Sequence, residues 1–170
     1  MKTINLIFIF MTFSLNIMSQ SEKRVYQEKG ETETYEISSD DVNRFIYKPD
    51  MPFDKLVSTD VTVRKYKVWP IKTVVNDKEY VKKYLKSKIK ENITPENSRI
   101  AISYYYELSS GKLKWITIFH KSSITIPIKA IERFENIMKK EDKATFNHDT
   151  SNIKDMPYFQ RYIPYNLLEL

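Results

Sequence analysis

The chain has 170 residues, 41% hydrophobic and 14% aromatic, which suits one compact domain with a tail, leaves too little chain for two full domains and argues against general disorder. It contains no cysteine, which excludes a disulfide framework, a thiol nucleophile, a thiolate metal site and a lipid-modified N-terminal cysteine. Two glycines exclude a glycine-rich phosphate loop, while a net charge of +6 keeps anionic partners open.

Residues 1–19 read as a secretory signal peptide. Lys2 supplies the positive start, and an apolar run from Ile4 to Met18 is interrupted by Asn5, Thr12, Ser14 and Asn16. Ser19 is the small residue before Gln20 and a charged stretch, so cleavage is expected at Ser19/Gln20, although Ile17 is large for its position before the cut. The competing reading is an uncleaved anchor, but the run is short and broken for a membrane span. Export without cysteine points to a bacterial protein, periplasmic or secreted, with no stable transmembrane span after cleavage.

Residues 20–60 read as an acidic, partly ordered arm or linker. Glu28, Glu31, Glu33, Glu36, Asp40 and Asp41 make it acidic, and Pro49 and Pro52 interrupt regular structure. Within it, residues 32–37 are expected as a short edge strand, and residues 39–46 as a helical turn capped near Ser39. Residues 61–170 then form a single domain. Val61, Val63, Tyr66 and Val68 suggest a strand bent near Arg64 and ended by Pro70.

Asn76 opens a helix, with Glu79 placed to bond back to it. Val81, Tyr84, Leu85 and Ile89 share one face; Lys78, Lys82, Lys83, Lys86 and Lys90 share the other. Lys88 falls inside the apolar arc, where it must snorkel or mark the edge.

The best-determined feature is a hairpin over residues 99–120. Ile100, Ile102, Tyr104, Tyr106 and Leu108 alternate with smaller or more polar residues, as in a half-buried antiparallel strand. Gly111 sits where the tight turn needs positive φ. Along the second strand Leu113 and Trp115 share one parity and Ile116 and Ile118 the other, so either both faces are covered or a bulge lies near Trp115. Pro127 suits the first turn of a second helix carrying Ile128, Ile131, Phe134 and Met138 inward, with Lys129, Glu132, Arg133, Glu135 and Lys139 outward. Residues 143–146 are a possible short strand, 148–156 a polar loop, and 158–168 a final strand that Pro164 places at an edge. The resulting fold class is α+β: an antiparallel sheet with two helices on one face, in the order helix, hairpin, helix, strand, strand, preceded by the arm.

From Asp77 to Leu168 this order resembles the C-terminal domain of TonB-type periplasmic proteins. Three segments carry the likeness: Gly111-Lys112-Leu113 at the central turn, Lys121-Ser122-Ser123 at the end of the second strand, and Arg161-Tyr162-Ile163-Pro164-Tyr165 in the closing strand. The helix-opening alanine pattern, the aromatic-proline segment after the second helix, and the family's uncleaved helix and proline-rich spacer are missing. The chain as a whole resembles small exported bacterial domains of unknown function. That likeness implies a location and a fold, and no activity.

No catalytic constellation emerges. His148, Asp149 and Asp155 lie in a polar loop and fall short of a metal site. Ser122 and Ser123 near His120 lack an orienting acid and an oxyanion hole, and adjacent serines at a strand end more often cap the next element. The protein is therefore expected to be no enzyme, to need no cofactor, and to work as an exported binding or protein–protein interaction module, an exposed sheet edge pairing with a partner strand. The alternative rests on ten basic against two acidic residues between Arg64 and Lys90. In it, Lys78, Lys82, Lys83, Lys86 and Lys90 bind a lipid, glycan or other polyanion, and the commoner role of such a run is a solvated helix face. Nucleic acid is not the expected polyanion, because arginine is scarce in the run and the protein is exported. Tyr104 and Tyr106 are expected in the core and Tyr105 is left open; a ring of this run exposed together with Trp115 or Tyr35 offers a surface for sugar stacking.

Overall fold

A computed structural model describes residues 23–53, 67, 70–73, 76–147, 150 and 157–170. The leader and most of the expected strand at 61–69 lie outside them. The described residues form a six-stranded antiparallel sheet, not closed into a barrel, with two helices: a mixed α+β fold.

The sheet is built on β5 (Arg99–Glu107) and β6 (Leu113–Lys121), the hairpin expected from the alternation. Gly111 has φ +68°, and a Cβ there would lie 2.1 Å from the Ala144 carbonyl oxygen, so both the turn and the close backbone approach require glycine. Tyr105 faces Trp115 and Tyr106 faces Leu113, leaving Lys114 as the extra residue. That bulge explains the parity switch along β6.

Residues 24–47 depart from the expected arm. They form β1 (Arg24–Lys29), β2 (Thr34–Ser39) and β3 (Asn43–Tyr47), and β3 pairs with β6. The helical turn expected near Phe45 is thus a strand, and the expected edge strand is interior. The reason is non-local. Ile37 and Ile46 are opposite each other, Ile46 is opposite Ile118, and all three are buried under the helices. The closing strand β8 (Tyr158–Asn166) pairs with β5 at the other edge, where Pro164 is tolerated. A second, two-stranded sheet joins β4 (Pro70–Thr73) to β7 (Ala144–Phe146).

The helices cover one face. Helix α1 starts as an α-turn at Asp77–Tyr80, widens into a π-helix at Val81–Leu85 and tightens into a 3-10 turn at Lys86–Lys88. Asn76 makes no side-chain cap. Val81 and Leu85 are fully buried; the π turn shifts the phase beyond them, so Lys88 is exposed rather than held in the apolar arc. Helix α2 (Ile128–Glu141) buries Ile131, Phe134 and Met138 as its periodicity predicts. Its Glu132 and Glu135, expected outside, are 2% and 0% exposed. The β1–β2 hairpin folds over that side of the helix and supplies their partners.

Candidate functional site

Polar groups gather in three places inside the fold and in one cleft on its surface. The first cluster locks the β1–β2 turn to α2. The Glu132 carboxylate accepts the backbone N–H groups of Glu31, Thr32 (2.9 Å) and Glu33 (3.2 Å), together with the Thr32 hydroxyl. Burial pushes this carboxyl up, but these hydrogen bonds outweigh it and hold it below the usual glutamate range. Next to it, the Tyr35 hydroxyl donates to Glu135 at 2.5 Å, and Lys48 and Lys139 lie 3.9 and 2.7 Å from the same carboxylate. Burial and Glu135 together drive the Tyr35 hydroxyl far above its ordinary pKa. Tyr35 is thus a core residue and offers no ring for a sugar.

A second cluster joins α1, β5, β8 and the end of α2. Arg161 lies 3.0 Å from Asp77, and its guanidinium carbon 5.8 Å from the Tyr104 ring centroid. The Tyr104 and Tyr165 hydroxyls are 3.0 Å apart, and Tyr106 donates to Asp142 at 2.5 Å. Tyr104 and Tyr106 are completely buried, as expected, and burial raises both hydroxyls. This assembly packs into the core.

The third is His120, which is completely buried. Its Nδ1 donates to the Lys121 carbonyl at 2.8 Å, and Nε2 has no hydrogen-bond partner. Burial, with a smaller push from Arg44, lowers its pKa to about 4. In the unfolded chain the ring titrates near 6.5, so below that pH the unfolded state binds the extra proton. The histidine's contribution to stability is therefore present above about pH 6.5 and lost as pH falls toward about 4. Denaturation titrations are expected to show about 2 kcal/mol lost between pH 7 and 5, with His120→Gln flattening that limb. An unchanged limb in the variant would assign the loss elsewhere. Ser122 donates to the Asp40 carbonyl at 2.9 Å and ties down the β2–β3 turn, while Ser123 is exposed. Neither meets His120 in a nucleophile–base pair.

The surface cleft runs between the helices. It has a volume of about 450 Å³ and is lined by Lys83, Tyr84 and Lys88 of α1 and by Pro127, Lys129, Ala130 and Arg133 at the start of α2. Among the described residues, four cations and no carboxylate line it. Pro127 cannot cap the helix with its side chain, and no acidic residue occupies the first turn, so the positive end of the α2 dipole adds to the four charges. Arg133 is shared with Glu31 on the β1–β2 turn, an exposed ion pair. Of the five lysines singled out in the sequence, only Lys83 lines the cleft. Lys86 is turned to the carbonyl of Leu170 at 2.8 Å, and Lys78, Lys82 and Lys90 are exposed away from it. From sequence Lys88 falls inside the apolar arc, snorkelling or marking its edge, and Lys129 and Arg133 belong only to the outer face of the second helix.

Among the described residues no group of His, Asp or Glu is placed to hold a metal ion, and no helix is long and apolar enough to cross a membrane. The residues His148, Asp149 and Asp155 fall outside those described. Among strand edges, β1 is exposed along all six residues.

No family model matches the sequence. No curated protein matches it either. Among solved structures, a DUF5043 family protein from Bacteroides uniformis ATCC 8492 matches with a TM-score of 0.53 and 11% identity, over 85% of this chain and 92% of that one. The shared property is the fold, and the neighbour's family is a domain of unknown function.

Proposed function

We propose that this is an exported, non-enzymatic binding module that takes an anionic ligand in the cleft between α1 and α2. One observation carries the reading: two helices far apart in sequence converge four cations and an uncapped helix N-terminus on one cavity that no carboxylate lines. A merely solvated lysine face spreads its charges outward, whereas these converge from facing elements. Export rests on the signal-like character of residues 1–19. Strand addition to β1 is the weaker reading, because Arg24, Glu28 and Lys29 are the kind of edge charges that discourage pairing, and Pro164 withholds an N–H from the opposite edge.

The test is calorimetric titration with inorganic pyrophosphate at two salt concentrations. A Lys88→Gln/Lys129→Gln double variant is expected to bind at least about tenfold more weakly, since each lost cation at a partly screened site is worth roughly 1 kcal/mol. A Lys78→Gln/Lys82→Gln/Lys90→Gln triple variant, which removes more charge outside the cleft, is expected to bind like the native protein. Equal weakening in both variants would mean diffuse attraction to net charge and would sink the proposal.

A further inference from the structure

The basic cleft does not end at Lys83. Lys83 and Tyr84 also line a second cavity, of about 300 Å³, whose other walls are Glu79, Tyr80 and Glu141. The two cavities form one groove along the antiparallel pair α1 and α2. Its floor is aromatic: the Tyr80 and Tyr84 ring centroids are 6.0 Å apart, and the Lys83 ammonium sits 5.1 Å from the Tyr84 centroid. One end holds Lys88, Lys129 and Arg133; the other holds Glu79 and Glu141, the latter accepting from the Tyr80 hydroxyl.

Two charges of α2 beside the groove, Lys129 and Glu141, oppose what the helix itself prefers, while its last turn also carries the favourable Lys139 and Lys140. Helices are stabilised by acids in the first turn and bases in the last. Along this groove α2 carries Lys129 in its first turn and Glu141 at its last residue. Lys139, one of the two basic residues in the last turn, turns back to Glu135, and Lys140 lines neither cavity. Along the groove lining, Lys129 therefore adds to the positive end of the dipole, and Glu79 and Glu141 place carboxylates at the other end, beside Lys83. A local rule broken in this direction is expected where a ligand uses the field.

Building on the anion-binding reading, we infer that the groove binds a short peptide, or the end of one, as a zwitterion. Its carboxylates lie at Lys88, Lys129 and Arg133, its ammonium at Glu79 and Glu141, and its body crosses Tyr80 and Tyr84. The length fits. Arg133 and Lys129 lie eight and twelve residues before Glu141, about 12 to 18 Å at helical rise. An extended tetrapeptide spans about 13 Å. A zwitterionic phospholipid head group has the same charge signs but a shorter separation.

The experiment titrates the full chain with a tetrapeptide of three alanines and a C-terminal glutamate, and with its N-acetylated twin. The free-amine peptide is expected to bind about tenfold more tightly. A Glu79→Gln/Glu141→Gln variant, altered only at exposed residues, is expected to lose that preference while keeping its affinity for the acetylated peptide and for pyrophosphate. Equal binding of the two peptides to the native chain, or no binding of either, overturns the inference; pyrophosphate binding then still stands or falls separately. Tighter binding to phosphatidylethanolamine vesicles than to the free-amine peptide also overturns it, in favour of a lipid surface.

Discussion

Replacing Glu132 with alanine is expected to destabilise the protein by about 3 to 4 kcal/mol. The carboxylate is 2% exposed and serves the N–H groups of three successive residues and one hydroxyl. Its removal leaves those donors facing an apolar methyl group, and the unmade hydrogen bonds cost more than the made ones contribute. Gly30 reports on the same joint. A Cβ there would lie 1.9 Å from Glu132 Oε2, so Gly30→Ala is expected to reproduce part of the loss. Urea titration gives the magnitude, and amide hydrogen exchange at residues 31–33 gives the location. A loss below about 1 kcal/mol with those amides still protected would show that the turn is held by its own hairpin. The linkage sign follows from the lowered carboxyl. The Glu132 contribution is full above the unfolded value of about 4.3 and is lost as pH falls through the lower folded value. It therefore fades in a more acidic window than the His120 contribution, and Glu132→Gln separates the two.

Arg161→Met is expected to cost about 3 kcal/mol, for a different reason. Arg161 and Asp77 have side chains 27% and 12% exposed, so removing the cation strands a largely buried carboxylate. The same guanidinium lies against Tyr104 and supports Tyr106, whose hydroxyl is already committed to Asp142. Burial alone would lower the Arg161 pKa, and Asp77 with Tyr106 raises it above its ordinary value instead. The double variant Arg161→Met/Asp77→Asn removes both charges and is expected to recover more than half of the loss, because a missing pair is cheaper than a broken one. Additive losses in that cycle would show that the two residues act independently and that Arg161 contributes through its packing alone.

The readable parts of the chain were those whose signal is local. Ile100, Ile102, Tyr104 and Tyr106 alternate because one face of β5 is buried, and alternation needs no knowledge of what buries it. Ile131, Phe134 and Met138 recur at helical spacing for the same reason, and Pro127 marks where that helix begins. Strands β1 and β3 were hidden by composition, whereas β2 was legible as a strand over residues 32–37 but not as an interior one. β1 lies at the edge with every residue exposed, so it carries no apolar face, and the acids around it read as an arm. The alternation of Tyr35 with Ile37 sufficed for a short strand, but the cluster Phe45-Ile46-Tyr47 was too short to stand against the surrounding charge and turn residues.

The candidate site divides along the same line. The lysine run on the first helix was visible, and residue type and spacing alone specify a basic face on α1, an apolar stripe on α2, a tight glycine turn between β5 and β6, and no cysteine or glycine-loop chemistry. These follow from residue type and from periods of two and about 3.6, which are properties of a few consecutive residues. Where those charges sit in space is a property of the fold. It drew Lys83 and Lys88 toward Lys129 and Arg133, sent Lys86 to the chain end, and buried Glu132 and Glu135 beneath a hairpin about 100 residues away in sequence. Electrostatic environment depends on distances across the fold and on exclusion of water, and neither is encoded in the spacing of residues along one helix.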